Sequence, residues 1–345
     1  MPSAEKADRR MPSGHASPLS VILPAYNSGA TIVRAVRSIL DSRGADFELI
    51  VVNDGSTDQT VERLQSIRDP RLQLLHQDHR GPSTAFGHGL RHARGRWIAR
   101  MDADDIATPD RLVKQLEHLQ SHDGDAVGGL VQILDATGTP VPTMNRYERW
   151  LNSLITTESI AAYRFVESPL VNPTAMARRE IFEMGYRDGP WPEDYDLWLR
   201  VLHAGFRISK IPEPVLTWTD HPNRLTRSDP RYSAEAFDRC RRMHLLEGPL
   251  RGVERVHLWG AGKTGKPCLR WLLAQGFTVK TLTDVSPRKL GQNIHGVIVS
   301  DPEALPPGGT IPLIIAVGAS GARDHIARFI TARGFVPGEN AWFVA

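Results

Sequence analysis

The chain has 345 residues, 41% of them hydrophobic and 23% charged, with a formal net charge of +3 at pH 7. That length allows two domains and a sizeable core, the composition is ordinary for a soluble globular protein, and so small a net charge gives no argument for a nucleic-acid partner. No run of about 18 apolar residues is present, which excludes a spanning helix. Cys240 and Cys268 match no zinc or disulfide pattern, which fits a reducing cytoplasm.

Residues 1–17 carry Lys6, Arg9 and Arg10 and lack an apolar h-region, so they read as a flexible tail rather than a secretory signal. Ser20-Val21-Ile22-Leu23 is a short apolar run ending at Pro24, as buried parallel strands do. Asn27-Ser28 is expected to cap a helix carrying Ile32, Val33, Val36, Ile39 and Leu40. A second strand spans Phe47 to Val52 and ends at Asn53-Asp54-Gly55-Ser56; a helix through Val61, Leu64 and Ile67 follows, then a strand from Leu72 to Leu75. A helix from about Ser83 to Ala93 leads into a strand at Trp97. This alternation predicts an open parallel sheet with helices on both faces, and ligands of such sheets sit at the carboxyl ends of the strands. Pro24-Ala25-Tyr26-Asn27, Asn53-Asp54-Gly55 and Asp102-Ala103-Asp104 all stand at such ends.

Beyond residue 125 the alternation loosens. Val127 to Leu134 with Gly138-Thr139-Pro140 suggests a hairpin, Arg146 to Ala162 is loosely helical, and Pro173 to Ala177 is strand-like. Pro192-Glu193-Asp194 precedes an amphipathic helix with Leu197, Trp198, Val201 and Leu202 on one face, closed by Gly205. Phe206 to Ile211 and Val215 to Trp218 are strand-like, and a basic helix runs from about Ala234 to Leu246. The arginines gathered from Arg224 to Arg255 could meet an acidic lipid or a phosphorylated acceptor, though a solvated helix face is the commoner meaning of such a run.

Asp102, Asp104 and Asp105 repel one another, and a divalent cation would relieve that repulsion; hard oxygen ligands suit Mn²⁺ or Mg²⁺. Read alone, the same run could be a solvated turn ahead of a helix start at Thr108-Pro109-Asp110. Four segments in series decide the reading. Ser20 to Asn27, Val51 to Asp58, Asp102 to Asp105 and Glu193 to Trp198 together resemble family 2 glycosyltransferases of the GT-A fold, over residues 18–230.

The resemblance implies an inverting transfer of a sugar from a nucleoside-diphosphate donor, a UDP-sugar being expected, to a glycan or lipid-linked acceptor. On it, Pro24 and Tyr26 pack the nucleobase, Asp54 accepts a hydrogen bond from it, and Asp102 meets the ribose or reaches the metal through water. Asp104 binds Mn²⁺ or Mg²⁺ with His221, Arg224 faces the diphosphate, Asp194 is the general base, and Glu193 lies on the acceptor side. Two positions depart from the family pattern: Phe86-Gly87 stand where an Arg-Asn pair is common, and Asn172 stands where many relatives have histidine.

The division expected is a tail over 1–17, a GT-A domain over 18–230 with a mainly parallel sheet, a helical linker over 231–250, and a smaller Rossmann-like α/β domain over 251–345. In the last, Gly260-x-Gly262-x-x-Gly265 follows a strand and opens a helix, with Asp284 about 20 residues on, the context of a dinucleotide fingerprint. No hydride-transfer residues accompany it, so a structural or docking role is equally open and no nicotinamide cofactor is inferred. The alternatives are a non-catalytic nucleotide-sugar sensor, a sugar nucleotidyltransferase lacking its glycine-rich basic loop, and an oxidoreductase centred on the tail. The expected location is the cytoplasm, with peripheral contact at the inner face of the membrane compatible with the basic residues.

Overall fold

The computed structural model describes residues 18–345 apart from 122–123, 223 and 320. The tail expected over 1–17 lies outside the described residues. Eight strands form the larger sheet: β1 Leu19–Ala25, β2 Phe47–Asp54, β3 Leu72–Gln77, β4 Trp97–Arg100, β5 Ile106–Ala107, β6 Ala126–Asp135, β7 Met176–Arg178 and β8 Ile208–Asp220, in the order β3-β2-β1-β4-β7-β6-β8-β5. The strands from β3 to β4 are parallel, β7 is antiparallel to both β4 and β6, and β6 runs parallel to β8.

β1 and β2 are buried at every residue. Their side chains alternate between two cores, as the period of a strand dictates. Val21, Leu23, Leu49 and Val51 meet Ile32, Val36 and Ile39 of the helix Ile32–Leu40 on one face. Ile22, Ile50, Val52 and Ile98 meet Phe86 and Trp198 on the other. The register pairs Ala25 with Asn53 and Ile22 with Arg100, so β1, β2 and β4 end on one rim.

The second sheet has six strands: β9 Arg255–Trp259, β10 Thr278–Thr283, β11 Asn293–Ile294, β12 Val297–Ser300, β13 Leu313–Ile315 and β14 Ala341–Phe343, in the order β11-β12-β10-β9-β13-β14. All but β11 run parallel, with the helices Gly265–Ala274 and Ala322–Ala332 among the connections. Its core continues into the larger sheet's surroundings. Phe165, Tyr195 and Leu199 share one buried cluster with Leu258, Leu269 and Trp342, and Tyr163 packs on Phe343 at 4.9 Å between ring centroids.

Several local expectations change. The helix after β1 begins at Ile32 with Thr31 as its N-cap, while the Asn27 side chain accepts from the Thr57 main-chain N–H at 2.9 Å and so ties two loops together. The expected hairpin at 138–140 is a turn closed by one Leu134–Pro140 bridge, after which the chain enters the helix Asn145–Ser153 instead of a strand. The two strands expected across 206–218 are one, because Pro212 and Pro214 are accommodated by a register shift opposite Gly129 and Leu130. The helix expected after Pro192-Glu193-Asp194 already includes Glu193 and Asp194, with Pro192 as its N-cap.

Candidate active site

The rim formed by β1, β2 and β4 carries the first group. Tyr26 is 43% exposed and stacks on His79, ring centroids 3.8 Å apart and 23° between planes. Asp54, by contrast, is buried and saturated. Its Oδ1 accepts from Gln77 Nε2 at 2.6 Å and Arg80 N–H at 2.9 Å; its Oδ2 accepts from Gly81 N–H at 2.8 Å and lies 2.9 Å from His79 Nδ1. Those bonds fold residues 79–81 against the strand end. Gly55 makes that approach feasible, since it has φ +71° and a Cβ there would lie 2.7 Å from the His79 nitrogen.

The acidic run is held from beneath by the end of β8. Asp105 is buried; its Oδ1 accepts from Thr219 N–H at 2.9 Å and faces Arg224 Nη1 at 3.4 Å, and its Oδ2 has no partner. Burial drives the Asp105 carboxyl well above its ordinary range, and the Arg224 charge opposes that shift. Arg224 is itself buried, donates to Thr219 O at 2.7 Å and lies 4.7 Å over the Trp218 ring. Its guanidinium is therefore engaged with the acidic loop. Asp104 and His221 meet at 2.9 Å, Oδ2 to Nε2, both side chains about a quarter exposed. The carboxylate oxygen of this pair is the kind of donor that suits Mn²⁺ or Mg²⁺, and the imidazole nitrogen is one that transition metals accept.

Arg100, at the end of β4, joins this loop to the second group. It is buried, with Nε 3.3 Å from Asp102 Oδ1 and Nη1 donating to Tyr186 Oη at 2.9 Å. Tyr186 in turn donates to Asn172 Oδ1 at 3.2 Å. The guanidinium lies 5.3 Å over the rings of both Phe86 and Tyr186. Burial works against its charge, but Tyr186, Asp102 and Glu193 together hold it more firmly protonated than usual. The two departures noted in the sequence, Phe86 and Asn172, are thus parts of one arrangement that seats Arg100.

The second group opens the helix Glu193–His203. Glu193 is buried, and both its oxygens accept from Tyr232 Oη at 2.8 Å. Asp194 Oδ1 accepts from the Tyr195 N–H at 2.8 Å, while no bond occupies Oδ2. Burial, then the neighbouring charge of Glu193, pushes the Asp194 carboxyl up to about 7; Arg100 pulls the other way and Asp102 adds to the rise. Asp102, Arg100, Glu193 and Asp194 therefore act on one another although they are up to 94 positions apart in the chain. Pro24 lies near the end of β1, paired with Val52 of β2, two residues before Tyr26. Arg100, His79, Tyr186 and Tyr232 were not among the residues singled out from sequence. Arg100 had a signal, a cation closing an apolar strand beside an acidic run; the others had none.

Among the described residues, three potential metal-ligand atoms come within 4.8 Å of one another only at Asp196, Cys240 and His244. There Asp196 already accepts from Arg187 Nη2 at 2.6 Å, Arg200 Nε at 2.9 Å and His244 at 3.0 Å, so two guanidiniums disfavour a cation. In the second sheet, Asp284 is likewise spent: it accepts from Ala261 N–H, Ser286 N–H and Lys289 Nζ at 2.8–2.9 Å. Gly265 packs so closely on Gly260 that a Cβ would lie 1.8 Å from its carbonyl oxygen. The glycine pattern here serves a tight strand-to-helix contact.

The family model described as Glycosyl transferase family 2 matches residues 20–185. An uncharacterized glycosyltransferase of Haemophilus influenzae is 30% identical over 218 residues, 60% of this chain and 67% of that protein. The putative glycosyltransferase EpsE of Bacillus subtilis is 30% identical over 241 residues, 66% of this chain and 83% of that protein. Among solved structures, S. aureus TarS 1-349 in complex with UDP-GlcNAc superposes with a TM-score of 0.53 at 20% identity, covering 68% of each chain.

Proposed function

The chain belongs to glycosyl transferase family 2, and on that premise we propose that it moves a sugar from a nucleoside-diphosphate donor to an acceptor hydroxyl with inversion at the anomeric carbon. The observation that carries the reading is that Asp102 of the strand-end rim and Glu193 and Asp194 of the helix start surround one buried guanidinium, that of Arg100, which lies 3.3 Å from Asp102.

Nucleotide sugars, such as the UDP-GlcNAc of the TarS structure, suit the rim chemically. Tyr26 and His79 offer ring faces to a base. Pro24 fixes the strand end beside them. Asp54 preforms loop 79–81 with its four bonds and meets a base where one of those donors is exchanged. Asp102 faces the ribose side. Arg224 acts through the acidic loop, holding Asp105 and hence Asp104 in place. Asp104 and His221 would hold Mn²⁺ or Mg²⁺, whose charge would offset that of the departing diphosphate.

Asp194 takes the proton of the acceptor hydroxyl on its unoccupied Oδ2. The acceptor oxygen forms its bond to the anomeric carbon as the bond from that carbon to the diphosphate oxygen breaks. The electron pair leaves with the nucleoside diphosphate, and one-step displacement inverts the centre. A carboxyl raised to about 7 is well matched to that proton transfer near neutral pH. Glu193, fixed by Tyr232, lines the acceptor side and keeps Asp194 from ionising too readily.

The test is a panel of nucleotide sugars incubated with the protein, Mn²⁺ and a cell extract, with products identified by mass spectrometry. Acceptor-dependent release of nucleoside diphosphate with a sugar-sized mass gain supports transfer. Donor binding with no release over the whole panel would instead favour a sensor.

A further inference from the structure

Tyr26 and His79 reach the same point of the rim from two loops that are anchored independently. The Tyr26 loop is tied through its neighbours. Asn27 N–H donates to Ser56 Oγ at 3.0 Å, Asn27 Oδ1 accepts from Thr57 N–H at 2.9 Å, and Ser28 Oγ donates to the Tyr26 carbonyl at 3.0 Å. The His79 loop is held by its main chain, the Arg80 and Gly81 N–H groups donating to the two oxygens of Asp54. No bond of either set uses a ring atom. The rings themselves are in face contact, centroids 3.8 Å apart and 23° between planes, which leaves no room for a third ring between them.

The imidazole makes a second contact. Its Nδ1 lies 2.9 Å from Asp54 Oδ2 and 3.1 Å from the Asp54 carbonyl oxygen. A carboxylate and a carbonyl only accept, so this nitrogen carries a hydrogen. A planar ring therefore turns its face to Tyr26 and an N–H to Asp54. Those are the two interactions assigned above to the donor's base, packing on Tyr26 and donation to Asp54. Two heterocycles cannot hold the same pair of contacts at once.

Little else holds the imidazole in place. The His79 side chain is 52% exposed, against 3% for that of Asp54. When it turns out, the loop stays, because Arg80 and Gly81 still bind Asp54, and the carboxylate keeps those two donors and Gln77 Nε2. An N–H of the base restores the fourth bond, so no buried charge is left short of a partner. Resting on the donor site proposed above, we propose that His79 is a built-in competitor of the donor's base: its imidazole sits in the base's seat, a nucleotide enters by turning it out, and His79 thereby sets the affinity for the donor. A ligand that binds only the chain with its imidazole turned out has its Kd raised by the reciprocal of that fraction.

The test is calorimetric titration of the full chain with UDP, GDP, ADP and CDP in the presence of Mn²⁺, followed by stopped-flow binding of whichever diphosphate binds tightest. H79A should bind it about three- to tenfold more tightly than the native chain. The gain should lie in the association rate, with dissociation little changed, since the bound complex no longer contains the contact that the substitution removes. H79F, which keeps a ring for Tyr26 and loses the N–H for Asp54, should fall between the two. Weaker binding by H79A would overturn the proposal, because the base would then be leaning on the imidazole instead of replacing it. Equal affinity of H79A and native chain, or a gain that lies wholly in dissociation, would overturn it as well. In all three of those outcomes a nucleotide still binds and the transferase reading stands. Binding of none of the four diphosphates to either chain would remove the transferase reading, and the proposal with it.

Discussion

Replacing Asp194 by asparagine separates chemistry from folding in one substitution. The Asn oxygen can still accept from the Tyr195 N–H, so the helix start is kept. The group that would accept the acceptor's proton is gone, and a lost general base costs about 10²–10⁴-fold in turnover. Stability should move the other way. Burial and Glu193 raise the carboxyl from 3.8 to about 7, so between those values the native chain holds a proton that the unfolded chain has released. The unfolded state then binds fewer protons, and stability falls as pH rises through that window, the loss being complete above about 7. Roughly three pH units correspond to a ceiling on the order of 4 kcal/mol. Asparagine has no such dependence. D194N should therefore match the native chain near pH 4 and gain a few degrees in Tm near pH 8. Turnover of the native enzyme should rise towards a plateau as pH passes about 7. The assay is nucleoside-diphosphate release and a melt of both proteins across pH. A variant that keeps a tenth of the activity, or that melts lower than the native chain at pH 8, refutes the assignment.

The same logic extends to the donor side. Tyr26→Ala should raise the donor KM by about 3–10-fold with little change in kcat, the worth of one lost ring contact; steady-state kinetics decide it, and an unchanged KM removes the ring from base packing. Arg224→Met leaves buried Asp105 without its counter-charge and should cost about 3–5 kcal/mol, seen as a lower urea midpoint and restored in large part by adding Asp105→Asn. Asp104→Ala should abolish the Mn²⁺ dependence of turnover while leaving Tm nearly unchanged, because Asp104 is a quarter exposed and its one partner, His221, can turn to solvent; metal titration of the rate is the check.

The parallel half of the larger sheet was legible because β1, β2 and β4 are short apolar runs that stop at polar turns, and burial on both faces demands such runs. The acidic run stood out because neighbouring acids without local partners are costly to place, whereas Asp194 stood out only through the family resemblance of its segment. What was not legible depends on distance in space. Arg100 has its partners 86 positions away at Tyr186 and, through charge, at Glu193, and no periodicity in sequence encodes such a meeting. Nor did anything mark residues 79–81 as the loop that would consume the bonding capacity of Asp54. The second sheet looked like half of a dinucleotide domain because β11, β12 and β14 have only two to four residues each, too few for an alternation to register. Its continuity with the first core rests on Phe165, Tyr195 and Leu199, single residues in segments that read as ordinary helix and loop.

The repulsion among Asp102, Asp104 and Asp105 has a second remedy that the sequence concealed. Three buried arginines converge on the same loop. Arg100 faces Asp102, Arg224 faces Asp105, and Arg111 donates from Nη2 to the carbonyl of Arg100 at 2.8 Å. Arg111 has no carboxylate within bonding distance, yet the charges of Asp105 and Asp102 act on it; burial nevertheless lowers it to about 10, still protonated at neutral pH. The loop is thus close to electrically neutral without any ion, and folding does not wait for one. Of the three acids only Asp104 has no guanidinium against it, and it is paired with an imidazole that can give up its position. A cation arriving with a diphosphate would therefore find one free carboxylate on a rigid, already compensated loop. Metal binding and donor binding should accordingly be coupled to each other and not to stability, which is the behaviour suited to a site that must release both after each turnover.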